Sequence, residues 1–310
     1  MLDKSYLSSF MGKLDFPPQA QAQLLELYDT LERDGAGKQE LDKMTAEYMA
    51  DNICDPGEYL TAVSELAERI GRSEYSLLML FWISCARNLP PLYKQMGIDE
   101  QVYHDSMMDL RYKLLECLEC KGGIAGTFSG GWFRGFIAMY RFAIGRFEYD
   151  ISNLDSDYIA PDSTVYAKGS PSLVCHIPSS GVPLTDDVRL DSYKRAYVFY
   201  RKYFPELFGN GPLIITCSSW LLYPAHRDFL PPHLNILRFM DDFDIVRSRE
   251  VEGFSNNWRV YGRYAGLPYE QLPEDTALRR AYKEHLIKTG VAGDGYGVII
   301  FDGEKITNRR

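Results

Sequence analysis

The sequence has no extended cluster of basic residues and no long apolar segment. Its formal net charge is −9, and no Lys/Arg cluster is longer than the final Asn-Arg-Arg, which argues against nucleic acid as a partner. Residues 1–10 carry Asp3 and Lys4 among serines, where a secretory signal would have an apolar core. No window is apolar over the length that spans a bilayer. We therefore expect a cytoplasmic protein with no membrane partner.

Cysteine is scarce and does not follow the pattern of a zinc ribbon. Most of the cysteines lie in apolar stretches, where a free thiol packs as a small hydrophobic group. Cys117 and Cys120 form one CxxC motif, but no second pair follows at a suitable spacing. We therefore expect reduced thiols and no bound metal. The six cysteines are at positions 54, 85, 117, 120, 175 and 217.

The first part of the chain has the apolar spacing of amphipathic helices. Leu24, Leu27 and Leu31 recur at three and four residues, and Asp55-Pro56-Gly57-Glu58 has the N-cap and first turn of a second helix. Further helices are predicted over Leu77–Ala86, ended by Pro90-Pro91, and from Asp99 onward. Since 310 residues suggest two domains of roughly 150 residues each, we predict a helical domain over residues 1–121, without a chemical motif.

After a glycine-rich joint at residues 122–131, the pattern changes to mixed α/β, which predicts a second domain over residues 122–310. Leu173–Ile177 and Leu213–Cys217 are short apolar runs typical of inner strands, and a helix over 186–204 lies between them. Two strands joined through one helix normally run parallel as neighbours. The other predicted elements are a short aromatic helix over Trp132–Phe142, strands over Arg146–Ile151, Phe243–Val251, Trp258–Tyr261 and Tyr296–Phe301, and helices over Asn235–Asp242 and Glu274–Lys288.

Several segments of this second part carry a family resemblance. They are Ile144–Tyr149, Val174–Gly181, Leu184–Val188, Ile215–Pro224 and Asn235–Phe239. Together they resemble bacterial acyltransferase-domain proteins that join a helical N-terminal domain to a GNAT-like C-terminal domain. The resemblance implies an α+β, or mixed α/β, fold in which a helical domain precedes a mixed sheet.

The resemblance also implies a site for acyl-CoA. In the GNAT fold a central strand diverges from its neighbour and exposes backbone groups that pair with the pantetheine arm. The following loop and helix N-terminus take the pyrophosphate, since a helix N-terminus offers N–H groups and the positive end of the dipole. The equivalents are the strand Leu173–Ile177, the loop Pro178–Gly181 and the helix from Asp186. The implied cofactor-binding residues are Ile177, Ser179, Ser180, Gly181 and Arg189.

Acyl transfer to an amine needs a base, an acid for the leaving thiolate, and a group that holds the amine. His176 in the cofactor strand is the candidate base, and its alternative is a hydrogen-bonded core histidine. Tyr223 is the candidate acid, and its alternative is packing. Glu148 is the candidate amine holder, and its alternative is a solvated strand face. A Cys217–His176 thiol protease pair is disfavoured because Cys217 ends an apolar strand.

The predicted function is an acyl-CoA-dependent N-acyltransferase that acts on an amine of a small molecule or peptide. The alternative is a GNAT-like binding or scaffolding module without catalysis. Two features favour that alternative: the loop has only Gly181 as a glycine, and Asn235–Asp242 lacks the tyrosine of ordinary GNAT enzymes. A third hypothesis is transfer from an acyl carrier protein, although two acidic proteins would repel each other.

Overall fold

The computed structural model describes residues 2–50 and 55–309, so Cys54 lies outside the described residues. These residues form two compact units, divided between Phe142 and Ala143. The domain boundary predicted at residue 121 stays a prediction. In the described part of the chain, no helix combines the length and apolar character that crossing a membrane requires.

The first unit is helical, as predicted. Its helix α5 is buried along Leu77–Ala86, which explains why this segment is apolar on all sides. α7 begins after Asp99, whose side chain caps the helix by accepting from the Gln101 amide at 2.8 Å. The helices are α1 (Lys4–Lys13), α2 (Pro18–Asp34), α3 (Ala36–Ala50), α4 (Gly57–Arg69), α5 (Glu74–Ala86), α6 (Leu89–Met96), α7 (Glu100–Cys120) and α8 (Arg134–Ile137).

α5 ends at Ala86, as predicted, and Pro90 and Pro91 lie in the first turn of α6, where a missing N–H costs no intrahelical bond. One local prediction in this unit is wrong. The aromatic segment Trp132–Phe142 is helical only over Arg134–Ile137, and Phe142 belongs to a strand. Short aromatic runs show too few turns for their period to separate helix from strand.

The second unit is built on a six-stranded mixed sheet in the order β1-β2-β5-β6-β8-β7. β5 and β6 are parallel neighbours inside this sheet, which confirms the prediction for the two apolar runs. The strands are β1 (Arg141–Ile144, which begins on the N-terminal side of the division), β2 (Phe147–Asn153), β3 (Tyr158–Ile159), β4 (Val165–Tyr166), β5 (Pro171–His176), β6 (Leu213–Ser219), β7 (Asp244–Glu252) and β8 (Val291–Phe301). β3 and β4 pair separately as a hairpin.

The helices of the second unit mostly follow the sequence pattern. α9 ends just before Pro205, as predicted. The segment Trp258–Tyr261, which we predicted as a strand, lies in α13, where Val260 and Tyr261 pack into a core cluster with Tyr282. The helices are α9 (Asp186–Tyr203), α10 (Pro205–Phe208), α11 (His226–Phe229), α12 (Asn235–Met240), α13 (Asn257–Tyr261) and α14 (Ala277–Thr289).

The two faces of the sheet have different partners. α9 covers one face, where Tyr193 stacks on Phe147 with ring centroids 5.5 Å apart and the Tyr200 hydroxyl donates to the Tyr149 carbonyl. The opposite face has a smaller apolar cluster that includes Ile214, Val298 and residues of the β3–β4 hairpin. Because strand side chains alternate, the polar residues of β2 and β5 described below project on this opposite face.

Candidate active site

The parallel pair at the centre of the sheet separates before its strands end. β5 and β6 are in register only at Leu173 with Ile215 and at Val174 with Thr216. On their outer sides both strands stay paired to their ends, His176 with Glu148 of β2 and Ser219 with Gly295 of β8. The carboxyl ends of β5 and β6 therefore diverge, and two strand edges border an opening within the sheet. The resemblance implied an opening at this strand.

Three polar side chains from β2 and β5 lie together beside this opening. Glu148 is the direct cross-strand partner of His176, and Asp150 is its diagonal neighbour on the same face. The His176 Nε2 atom lies 3.2 Å from Asp150 Oδ2, and the side chains are 23% and 16% exposed. Glu148 is only 1% exposed, so the alternative of a solvated strand face is wrong for it. The structure thus brings a candidate base and two carboxylates together.

The far side of the opening also carries polar groups on the same face. Ser218 follows Thr216 by two residues, as His176 follows Val174, so Ser218 and His176 take equivalent places on the two diverging strands. Ser218 is exposed, and its register partner on β8 is Tyr296. Sequence reasoning did not single out Ser218, because it lies just beyond the apolar run used to predict β6.

The loop that follows β5 is held by an arginine that sequence reasoning left out of the site. Arg146 donates through Nε to the Val182 carbonyl at 2.8 Å and through Nη1 to the Pro178 carbonyl at 3.0 Å. Inside the loop, the Ser180 hydroxyl accepts from the Val182 amide at 3.3 Å. Arg146 therefore fixes both ends of the loop and adds a positive charge beside it. The alternation of polar and apolar residues over Arg146–Ile151 is the sequence signal that could have identified Arg146.

The remaining loop residues predicted for the cofactor lie at or near the surface. Ser179 and Gly181 are exposed, and Ile177 is partly buried at the end of β5. Gly181 has φ +77°, and an added Cβ would meet no atom within 4 Å. Glycine is therefore favoured at this position by the backbone conformation and not by a lack of space for a side chain. Thr185, the N-cap of α9, makes no side-chain capping bond, whereas the Asp187 carboxylate in the first turn accepts from the Val188 amide.

Arg189 has protein partners on several sides. It is 2% exposed, and its Nε donates to Asp242 Oδ2 at 2.6 Å, while Nη1 donates to the Leu184 carbonyl at 2.6 Å. Nη2 donates to the Arg238 carbonyl and lies 3.1 Å from Asp186 Oδ1. These bonds tie the start of α9 to the end of α12. The role of Arg189 in cofactor binding stays a prediction, and its contacts describe a buried structural ion pair.

Tyr223 lies elsewhere in the second unit. Its hydroxyl donates to Glu250 Oε1 at 2.6 Å, and its ring lies against Gly293 of β8. Burial, together with this carboxylate, raises the pKa of the Tyr223 phenol. β8 is two places along the sheet from β5. The structure therefore joins Tyr223 to the paired strands β7 and β8, and its role as the acid stays a prediction.

The other candidate chemistries lack suitable geometry. Cys217 is fully buried, and burial raises the pKa of its thiol to about 12. It also alternates onto the α9 face, opposite to His176, which rules out the thiol protease pair. Within residues 2–50 and 55–309, no three His, Cys, Asp or Glu side chains are grouped as metal ligands.

The chain matches two domain families along most of its length. The sequence profile of the N-acyltransferase N-terminal domain matches residues 5–139, and that of the GNAT-like C-terminal domain matches residues 141–299. No curated protein matches the chain.

Solved acyltransferases share the fold. A mutant of the acyltransferase orf11* in complex with octanoyl-CoA matches with a TM-score of 0.76 at 19% identity, over 97% of this chain and 89% of that chain. An acyltransferase in complex with decanoyl-CoA and teicoplanin matches with a TM-score of 0.74 at 21% identity, over 94% and 87% of the two chains. These likenesses and the two profiles confirm the predicted fold class. The chain therefore belongs to the family that joins an N-acyltransferase N-terminal domain to a GNAT-like C-terminal domain.

Proposed function

We propose that this protein transfers an acyl group from acyl-CoA to an amine, with His176 as the general base. The observation that carries the proposal is the opening between β5 and β6, which has His176 at the end of one strand and polar side chains around it. Acyltransferases of the same fold have been crystallised with octanoyl-CoA and with decanoyl-CoA. This supports acyl-CoA as the donor.

The divided strand pair suits an extended donor. A pantetheine arm carries amide groups, and a strand edge offers backbone N–H and C=O groups with which such an arm can pair. The loop Pro178–Val182 follows directly, and Arg146 holds it through two carbonyls. The first turn of α9 comes next along the chain, and a helix N-terminus is a general binding place for a phosphate. The strand, the loop and the helix N-terminus thus follow one another along the chain in the same order as the thioester, the pantetheine and the pyrophosphate along the donor.

The reaction uses groups around the opening in simple roles. The negative charge of Glu148 and Asp150 beside His176 favours an acceptor that arrives as an ammonium ion. His176 takes one proton from this ion, which frees the nitrogen lone pair to attack the thioester carbonyl. As the C–S bond then breaks, the nitrogen loses its second proton and the CoA thiolate gains one, so the products are the amide and the CoA thiol. Tyr223 remains a prediction for the acid that protonates the thiolate.

The acceptor class follows from the base and the carboxylates. One solved structure with this fold is that of an acyltransferase in complex with CoA and 10C-teicoplanin. A small-molecule or peptide-like amine is therefore our proposal for the acceptor here. The non-catalytic alternative was based on the sparse loop and the missing tyrosine, and the acyltransferases that share the fold give it no support, so we do not propose it.

The test is release of free CoA from octanoyl-CoA in the presence of primary amines, amino sugars and teicoplanin. His176→Gln should lower turnover by about two to four powers of ten, with octanoyl-CoA affinity nearly unchanged, because only proton removal is lost. His233→Gln is the matched control, since His233 is exposed. Full specific activity in His176→Gln would refute the base role. Failure of the wild-type protein to bind octanoyl-CoA would refute the donor.

A further inference from the structure

His176 has a carboxylate beside one of its two ring nitrogens. Nε2 of His176 and Oδ2 of Asp150 are 3.2 Å apart, and the two residues are diagonal neighbours of the antiparallel β2–β5 pair. Both side chains are largely buried, which strengthens an interaction between them relative to one in water. The backbone ladder fixes both Cα positions, so the contact does not depend on a mobile loop.

We propose that Asp150 is a positioning residue that holds His176 in the tautomer needed for proton removal. A carboxylate accepts a hydrogen bond but cannot donate one, so its imidazole partner is the nitrogen that carries the proton. With the proton on Nε2, the lone pair of neutral His176 is on Nδ1, and this nitrogen receives the proton of the acceptor amine. As that proton arrives, the imidazolium is stabilised by the Asp150 charge. This inference rests on the proposed role of His176.

Asp150 and Glu148 have different places in this arrangement. Glu148 is the direct cross-strand partner of His176 and is 1% exposed, and Asp150 Oδ2 lies 3.2 Å from Nε2 of the His176 ring. The tautomer argument applies to the carboxylate that touches Nε2. We therefore assign positioning of the ring to Asp150 and leave Glu148 with its proposed role toward the amine.

The first test compares Asp150→Asn, Asp150→Glu and Asp155→Asn by steady-state kinetics with octanoyl-CoA. An asparagine can donate to Nε2 and so favours the wrong tautomer. We expect Asp150→Asn to lower kcat by about two powers of ten or more, with KM for octanoyl-CoA unchanged. Asp150→Glu keeps the charge and should keep more activity. Asp155→Asn is the control, because that carboxylate is 58% exposed and pairs with Arg247.

The second test uses a double variant and a spectroscopic signature. In a His176→Gln background, Asp150→Asn should cause no further loss, because a positioning residue acts only through the group that it positions. In ¹⁵N-histidine spectra, the His176 signals, identified by their absence in His176→Gln, should show the Nε2–H tautomer in the wild-type protein and not in Asp150→Asn. Melting temperatures of all variants should stay close to that of the wild type.

The outcomes separate this inference from the proposed function. If His176→Gln is slow while Asp150→Asn keeps the wild-type kcat and tautomer, the positioning role is refuted and the base role stands. If His176→Gln is fully active, the proposed base is refuted. If Asp150→Asn slows turnover further in the His176→Gln background, Asp150 acts independently of His176, which also refutes positioning.

Discussion

A buried histidine outside the candidate site should make the stability of the protein sensitive to acid. His226 begins α11, is fully buried, and shares a short hydrogen bond through Nε2 with the Tyr282 hydroxyl. Its ring packs against Trp220, Tyr223 and Phe229. Burial among these aromatic rings lowers the pKa of His226 from 6.5 to about 3. The substitution His226→Gln replaces this imidazole by a side chain that does not titrate.

The sign and size of the effect follow from the two pKa values. Because the pKa is lower in the folded state, the unfolded chain takes up the proton first as the pH falls. The stabilisation by neutral His226 is complete above the unfolded value and is lost between pH 6.5 and about 3. Each pH unit inside this window corresponds to about 1.4 kcal/mol. Between pH 7 and pH 5, His226 should therefore lower the free energy of unfolding by about 2 kcal/mol.

Urea denaturation at pH 7 and pH 5 measures the contribution of His226 to the free energy of unfolding. The wild-type protein should lose about 2 kcal/mol more than His226→Gln over this interval. Burial also lowers the pKa of His285, but that residue is common to both proteins and its contribution cancels in the comparison. His233→Gln, at an exposed position, should keep the wild-type pH dependence. Equal pH dependence in the wild type and His226→Gln would show that burial of His226 does not make the stability sensitive to acid.

Two further substitutions test the predicted cofactor residues. Gly181→Val should weaken CoA binding roughly fivefold, because φ +77° disfavours a β-branched residue, and Gly181→Asn should weaken it less; identical affinities by calorimetry would remove this loop from the site. Arg189→Leu leaves Asp242 with one cation fewer, so it should lower stability by about 3 kcal/mol in urea denaturation, whereas exposed Arg195→Leu should not. An Arg189→Leu protein of wild-type stability that has lost CoA affinity would contradict the structural role.

Sequence patterns that lie within a single helix or strand predicted that element correctly. The helix predicted from Asp99 onward is α7, and the continuous apolar run predicted β6. The parallel pairing of β5 and β6 also followed, since one intervening helix leaves little topological choice. Short segments were less accurate. Trp258–Tyr261 is helical because its burial in the α13 cluster outweighs its β propensity.

The candidate site was predictable only in part. His176 and Glu148 were found from the sequence because each is a reactive side chain on a predicted strand, and the register of β2 with β5 places them opposite each other. Asp150 and Arg146 were visible as the polar half of an alternating strand, but alternation gives a face and not a partner. Their contacts with His176 and with the Pro178–Val182 loop depend on how two separate segments pair.

The class of each half, the inner strands and the helix between them were predictable, because they depend on local periodicity and on burial of apolar side chains. Three features appear only once the chain is folded: the place where β5 and β6 separate, the contact of Asp150 with His176, and the ion pair of Arg189 with Asp242. Those features depend on distances between residues far apart in the chain. Local periodicity does not record such distances, whereas the hydrogen-bonded register of a sheet fixes which residues of two strands lie opposite each other.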